Sequence, residues 1–94
     1  MSNLPTSLPA VEDQTITVKA QLTACPAGPN GVIVTAHPLN APGTVIRISD
    51  TNVSATRGHP LAPGASYTFG IANASGLYAI SESGAAAVLC VGPA

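Results

Sequence analysis

Charged side chains are scarce in this sequence of 94 residues, at 7% of the chain, whereas ordinary globular domains carry about 25%. The three basic side chains, Lys19, Arg47 and Arg57, are spread along the chain and form no cluster. Binding to a phosphate backbone or to an anionic membrane surface depends on clustered Lys and Arg. The sequence therefore argues against nucleic acid and membranes as partners.

Residues that could form a catalytic or metal site are equally few. The only histidines are His37 and His59, and no pair of carboxylates has the spacing of an acid–base site. Catalysis needs a nucleophile, a base and a group that stabilises charge, and closed zinc sites take their ligands in close pairs. We therefore predict no enzymatic activity, no metal and no cofactor.

The two cysteines are too few to define a disulfide framework. Cys90 lies in the apolar run Val88–Val91, where a free cysteine behaves as a small hydrophobe. A disulfide between Cys25 and Cys90 stays open, because it requires the first and last strands to lie side by side.

Tryptophan is absent, and the aromatic residues are Tyr67, Phe69 and Tyr78. Tyr67 and Phe69 share one face at strand spacing, which predicts a role in the core, while Tyr78 stays a candidate for exposure. Sugar-binding sites usually present exposed aromatic faces, so the sequence gives little support for a glycan site.

Hydrophobic residues make up 46% of the chain and the net charge is −1, which is not the composition of a disordered protein. The exterior must therefore consist mainly of Ser, Thr, Asn, Gly and Ala. Such short side chains lose little conformational entropy when they are covered. This composition favours packing into a larger assembly.

The first residues have neither the basic nor the apolar region of a secretory signal, and no apolar run reaches the length of a membrane span. Residues 1–13 contain two prolines and no periodicity, which predicts a flexible arm before a domain over residues 14–94. The arm is either a frayed terminus or a segment that orders on a partner. Its candidate contact residues are Leu4, Pro5, Leu8 and Pro9.

Strict alternation of apolar and polar residues predicts a first strand over Thr15–Thr23, with Ile16, Val18, Ala20 and Leu22 on its apolar face. No window shows the 3.6-residue period of a helix. Turn residues separate further predicted strands at residues 32–37, 44–49, 65–72, 77–81 and 85–91. We therefore predict an all-β domain, a β-sandwich or jelly-roll-like barrel of six or seven short antiparallel strands.

The connection over residues 50–64 ends in the sequence RGHPLAPG, from Arg57 to Gly64. Its prolines fix φ and its glycines permit positive φ, which predicts a rigid connection that Leu61 anchors to the sheet. In a second interpretation, Arg57 and His59 are contact residues displayed on this connection, because a preorganised loop loses little entropy on binding.

Two segments carry a resemblance to a known family: ISDTNVSATRGHPLAPGASYTF, residues 48–69, and LYAISESG, residues 77–84. They resemble small virion proteins of tailed bacteriophages and prophages. In that family a "G-D-x-N-V-T-x-x-x-G-x-P-L-x-P-G" connection leads into an alternating strand, and a "L-Y-A-I-S-x-x-G" hairpin follows. The similarity covers residues 44–91, and the chain departs from the pattern at Ser49, where glycine is common, and at Arg57.

The resemblance implies a non-enzymatic structural protein that decorates and stabilises a bacteriophage capsid through multivalent, non-covalent contacts. The implied partner is the major capsid protein, and the implied assembly is a homo-oligomer, a trimer. The implied location is the capsid exterior of the virion, after synthesis in the host bacterial cytoplasm. An alternative is a β-module of a phage tail, fibre or head spike that binds a glycan or receptor.

Overall fold

Two four-stranded antiparallel sheets form the protein in our computed structural model, which describes residues 13–94. The strands are β1 (Gln14–Ile16), β2 (Ala20–Gln21), β3 (Val32–Ala36), β4 (Ile46–Ser49), β5 (His59–Leu61), β6 (Ser66–Phe69), β7 (Tyr78–Ser81) and β8 (Ala87–Pro93). Sheet A has the order β1-β8-β3-β6, and sheet B has the order β2-β7-β4-β5. The predicted all-β sandwich is confirmed.

The core lies between the two sheets, and period-two alternation places it there. Along β3 and β4, and along β8 from Ala87 to Val91, every second side chain is buried, because successive side chains of a strand point to opposite faces. Full burial of an aliphatic side chain contributes about 1.5–3 kcal/mol. The largest fully buried side chains are Ile16, Leu22, Ile46, Ile48, Leu61, Leu89, Val32, Val34 and Val91.

The predicted nine-residue first strand is wrong in one respect, since the chain changes sheets within it. β1 pairs with β8 in sheet A, and β2 pairs with β7 in sheet B. Between them Val18 is 74% exposed, although Ile16 and Leu22 are buried. The crossing segment belongs to neither sheet, so the apolar face is interrupted at Val18.

The long connection over residues 50–64 also differs from the prediction, because it contains the short strand β5. Proline is tolerated there since β5 is an edge strand, where a missing N–H costs little. Leu61 is 1% exposed, so this connection is anchored in the core as predicted. The last strand runs from Ala87 to Pro93, two residues later than expected at each end.

The connection from β2 to β3 is fastened to the turn before β7 by one amide side chain. The Asn73 Oδ1 atom accepts hydrogen bonds from the backbone N–H groups of Cys25 and Ser75, both at 3.0 Å. Asn73 thereby caps the 3-10 turn Ala74–Gly76. Two backbone bonds, from Ala27 to Ala72 and from Ala74 to Cys25, run beside it.

We expect Asn73→Ala to lower the free energy of unfolding by about 1–3 kcal/mol, because the part-buried N–H of Cys25 loses its acceptor. Asn73→Asp keeps an acceptor oxygen and should lose clearly less. Asn52→Ala, at an exposed position, is the control and should stay within about 0.5 kcal/mol of the parent. Denaturant unfolding measures all three, and equal losses for Asn73→Ala and Asn52→Ala would contradict the fastening role.

Candidate interaction surface

Within residues 13–94, the four strands of sheet A place no charged side chain on the outer face of that sheet. The strand registers place its residues in three rows that run across the strands. Thr15 lies beside Val88 in the first row, and Thr35 lies between Cys90 and Ser66 in the second. In the third row, Ile33 lies between Gly92 and Thr68. These eight residues define the surface that we call face A. Its central positions, on β3 and β8, are half-buried, while those on the edge strands β1 and β6 are exposed.

Charge is concentrated on the other side of the molecule. Arg47 lies on the outer face of sheet B, where its Nε donates to Glu82 Oε2 at 2.8 Å. Lys19 donates from Nζ to the carbonyl oxygen of Thr51 at 2.9 Å. Among residues 13–94, five charged side chains lie on sheet B or on its connections: Lys19, Arg47, Asp50, Arg57 and Glu82. The sixth, Asp13, directly precedes β1 at the edge of sheet A.

A cluster of aromatic rings lies at the open side of the sandwich, between the edge strands β5 and β6. The rings of His59 and Tyr67 are stacked with centroids 3.9 Å apart, and Phe69 meets Tyr67 edge-on at 5.0 Å. All three point inward, because they pair with the buried residues of β4 and β3. Tyr67 is nevertheless 46% exposed, since β6 is an edge strand and, among residues 13–94, no strand lies beyond it in sheet A. The predicted core role is therefore wrong for Tyr67.

The two candidate contact residues of the connection have different settings. Arg57 is exposed in a turn closed by the reciprocal backbone bonds of Ser54 and Arg57. His59 belongs to β5 and to the aromatic cluster, so the structure does not bring these two side chains into one site. Sequence reasoning missed Arg47, whose Nη1 donates to the carbonyl oxygen of Gly58 at 3.2 Å and holds this connection.

The two cysteines lie on opposite sides of sheet A. Cys25 is 2% exposed and packs in the core. Cys90 alternates with the buried residues Leu89 and Val91, so its side chain is on face A. A disulfide needs Cβ atoms about 3.5–4.5 Å apart that point toward each other. This placement disfavours the bond between Cys25 and Cys90 that the sequence left open.

The described part of the chain offers surfaces rather than cavities. Residues 13–94 contain no pocket, no group of three His, Cys, Asp or Glu side chains that could hold a metal ion, and no helix that could cross a membrane. The predicted contact residues Leu4, Pro5, Leu8 and Pro9 lie outside the described residues. Face A and the aromatic cluster are therefore the candidate sites that the structure offers.

Sequence reasoning did not single out face A, although a signal for it exists. The central strands β3 and β8 contain the runs VIV, residues 32–34, and VLCV, residues 88–91. Uninterrupted apolar runs are typical of strands that are covered on both faces. Comparison of the chain with protein-family models, with characterised proteins and with solved structures found no match.

Proposed function

We propose that this protein is a structural component of a bacteriophage virion that decorates and stabilises the capsid through face A. The observation that carries the proposal is the charge asymmetry of the sandwich. Face A is uncharged, while sheet B bears the Arg47–Glu82 pair and the neighbouring charges. Covering a neutral face of short side chains requires no charge to lose its water, so face A is the side suited to a partner.

The size of face A implies that each copy binds weakly. The four strands of face A lie about 4.8 Å apart, and its residues extend about 15 Å along the strands, so face A has an area of about 300 Å². A stable interface needs about 800 Å² on each partner. One copy on one subunit would therefore dissociate readily, and stable attachment requires several contacts at once. Many copies on a repetitive shell satisfy this requirement.

The proposed partner is the major capsid protein, and the proposed location is the outside of the shell. The resemblance of residues 48–69 and 77–84 to phage virion proteins supports this choice, and both segments contribute strands to the folded sandwich. A trimer remains a prediction that rests on the resemblance. A role without catalysis is likewise a proposal, which rests on the sequence.

The alternative, a recognition module of a tail, fibre or head spike, has one observation in its favour. Tyr67 is exposed beside His59, and exposed aromatic faces are typical of sites that bind sugars. If this alternative is correct, Tyr67→Ala should abolish attachment to host cells and leave binding to shells unchanged. The capsid proposal predicts no cell attachment by either protein.

A charge placed at the centre of face A tests the proposed contact. We expect Thr35→Lys to weaken binding to purified shells by about tenfold or more, because the added ammonium group must lose water without a partner. Co-sedimentation of the protein with shells that lack it measures the affinity. The matched control is Ser49→Lys, which puts the same charge on a half-buried strand position of the other outer face.

The control variant should bind shells as the parent does. If Ser49→Lys weakens binding and Thr35→Lys does not, sheet B is the contact surface and the assignment of face A is wrong. If neither variant changes the affinity, the contact lies on neither outer face, and the edge strands with the aromatic cluster, the loops or residues 1–12 must supply it. Thermal unfolding of both variants shows whether the fold is intact.

A further inference from the structure

The edge strand β6 differs from the other three edge strands of the sandwich. An unprotected edge offers backbone donors and acceptors to another chain, and proteins usually protect edges by short length, proline or charge. β1 has three residues and follows Asp13, β2 has two residues and follows Lys19, and β5 contains Pro60. β6 has four residues, Ser66–Phe69, with neither proline nor charge.

The backbone groups that β6 presents to solvent can be identified. The carbonyl oxygen of Ala65 accepts from the N–H of Ala36 at 2.9 Å and therefore points toward β3. Because backbone groups alternate along a strand, those of Tyr67 also point toward β3, while the N–H and C=O groups of Ser66 and Thr68 point away. Within residues 13–94 no strand lies beside them.

We propose that β6 pairs with β6 of a second copy of this chain, antiparallel and centred on Tyr67. In this register each copy's Ser66 faces Thr68 of the other copy. The outward N–H and C=O groups of Ser66 and Thr68 in both strands then form four intermolecular hydrogen bonds. The two Tyr67 residues oppose each other on the inward face, where side chains approach closely. A register centred on Thr68 is poorer, because it pairs Ser66 with Gly70 of the other copy. The chain turns at Gly70, where the N–H of Ile71 donates to the carbonyl oxygen of Phe69 at 2.8 Å.

A second copy fits this edge better than the other available occupants. The strand is self-complementary, since hydroxyl residues face hydroxyl residues and Tyr67 faces itself, which are favourable cross-strand pairs. Residues 1–12 contain Pro5 and Pro9, each of which removes a donor that an added strand would need. The pairing also covers Tyr67, an exposed aromatic side chain on an inward-pointing row.

The pairing has a consequence for face A. The two-fold axis of an antiparallel strand pair is perpendicular to the sheet, so the two copies form one eight-stranded sheet. Both copies of face A then point in the same direction and together offer about 600 Å². The pairing itself does not depend on the proposed function, and it differs from a trimer, which requires a contact around a three-fold axis.

Sedimentation equilibrium and amide hydrogen exchange on the full chain test the pairing. We expect the unmodified protein to reach twice its 9.3 kDa mass as its concentration rises. The amides of Ser66 and Thr68 should become protected over the same concentration range. Thr68→Pro removes two of the four intermolecular bonds and leaves the bonds to β3, so we expect the dimer dissociation constant to rise about tenfold or more.

Tyr67→Lys is a second variant, which places two like charges opposite each other and should abolish the dimer. Ser49→Lys adds the same charge on the outer face of sheet B, away from β6, and should leave the dimer unchanged. Circular dichroism and unfolding confirm that each variant is folded. The proposal would be overturned if the protein were a monomer at every concentration or a trimer. It would also be overturned if neither Thr68→Pro nor Tyr67→Lys weakened the dimer.

Discussion

Gly31→Ala is expected to lower the free energy of unfolding by about 2–5 kcal/mol. Gly31 has φ +108°, and a non-glycine residue there costs about 1–2 kcal/mol. A Cβ atom would also overlap the Phe69 carbonyl oxygen and lie 3.0 Å from the Gly70 Cα atom. Separating β3 from β6 to remove this overlap costs a further 1–3 kcal/mol or so.

Gly84→Ala separates the cost of the backbone conformation from the cost of the overlap, because only the first applies at Gly84. Gly84 has φ +83°, but a Cβ atom added there would have nothing within 4 Å. We expect a loss of about 1–2 kcal/mol from the backbone conformation. Chemical denaturation of both variants gives the comparison. Equal losses would mean that β6 does not approach Gly31 as closely as the structure has it.

Ile16→Ala is expected to lower the free energy of unfolding by about 2–5 kcal/mol, because Ile16 is fully buried and the change leaves a cavity. Val18→Ala should stay within about 0.5 kcal/mol of the parent, because Val18 is 74% exposed. Thermal or denaturant unfolding measures both. A loss above 1.5 kcal/mol or so for Val18→Ala would favour the continuous strand that the alternation predicts.

The change of sheet between β1 and β2 could not be read from the alternation. Ile16 and Leu22 both point into the core, one from sheet A and the other from the segment after β2 in sheet B. Because the core lies between the sheets, a chain that crosses from one to the other keeps the same apolar spacing. Alternation reports which side chains face the core, but it does not report the sheet in which each lies.

The strand β5 was hidden for a different reason. A proline within a short run argues against a strand, and Leu61 is the only buried residue of the three. The sequence did identify Leu61 as the anchor of this connection. It could not supply the pairing of His59 with Ile48 or the stacking of His59 on Tyr67, because both depend on contacts between distant parts of the chain.

The composition predicted a neutral exterior, but the segregation of charge depends on the fold. Arg47 and Glu82 are 35 residues apart in sequence and meet because β4 lies beside β7. Face A is neutral because it is built from four strands whose outward residues are all uncharged. Sequence order alone does not reveal which strands share a sheet, and therefore does not reveal the face.

The number of copies of this protein found in each purified phage particle tests the central claim most directly. Quantitative mass spectrometry of purified phage particles from the source, scaled to the major capsid protein, gives that number. Decoration of the shell through face A predicts hundreds of copies in each particle. A handful of copies, which would indicate a tail or a vertex, or complete absence from the particle would contradict the account.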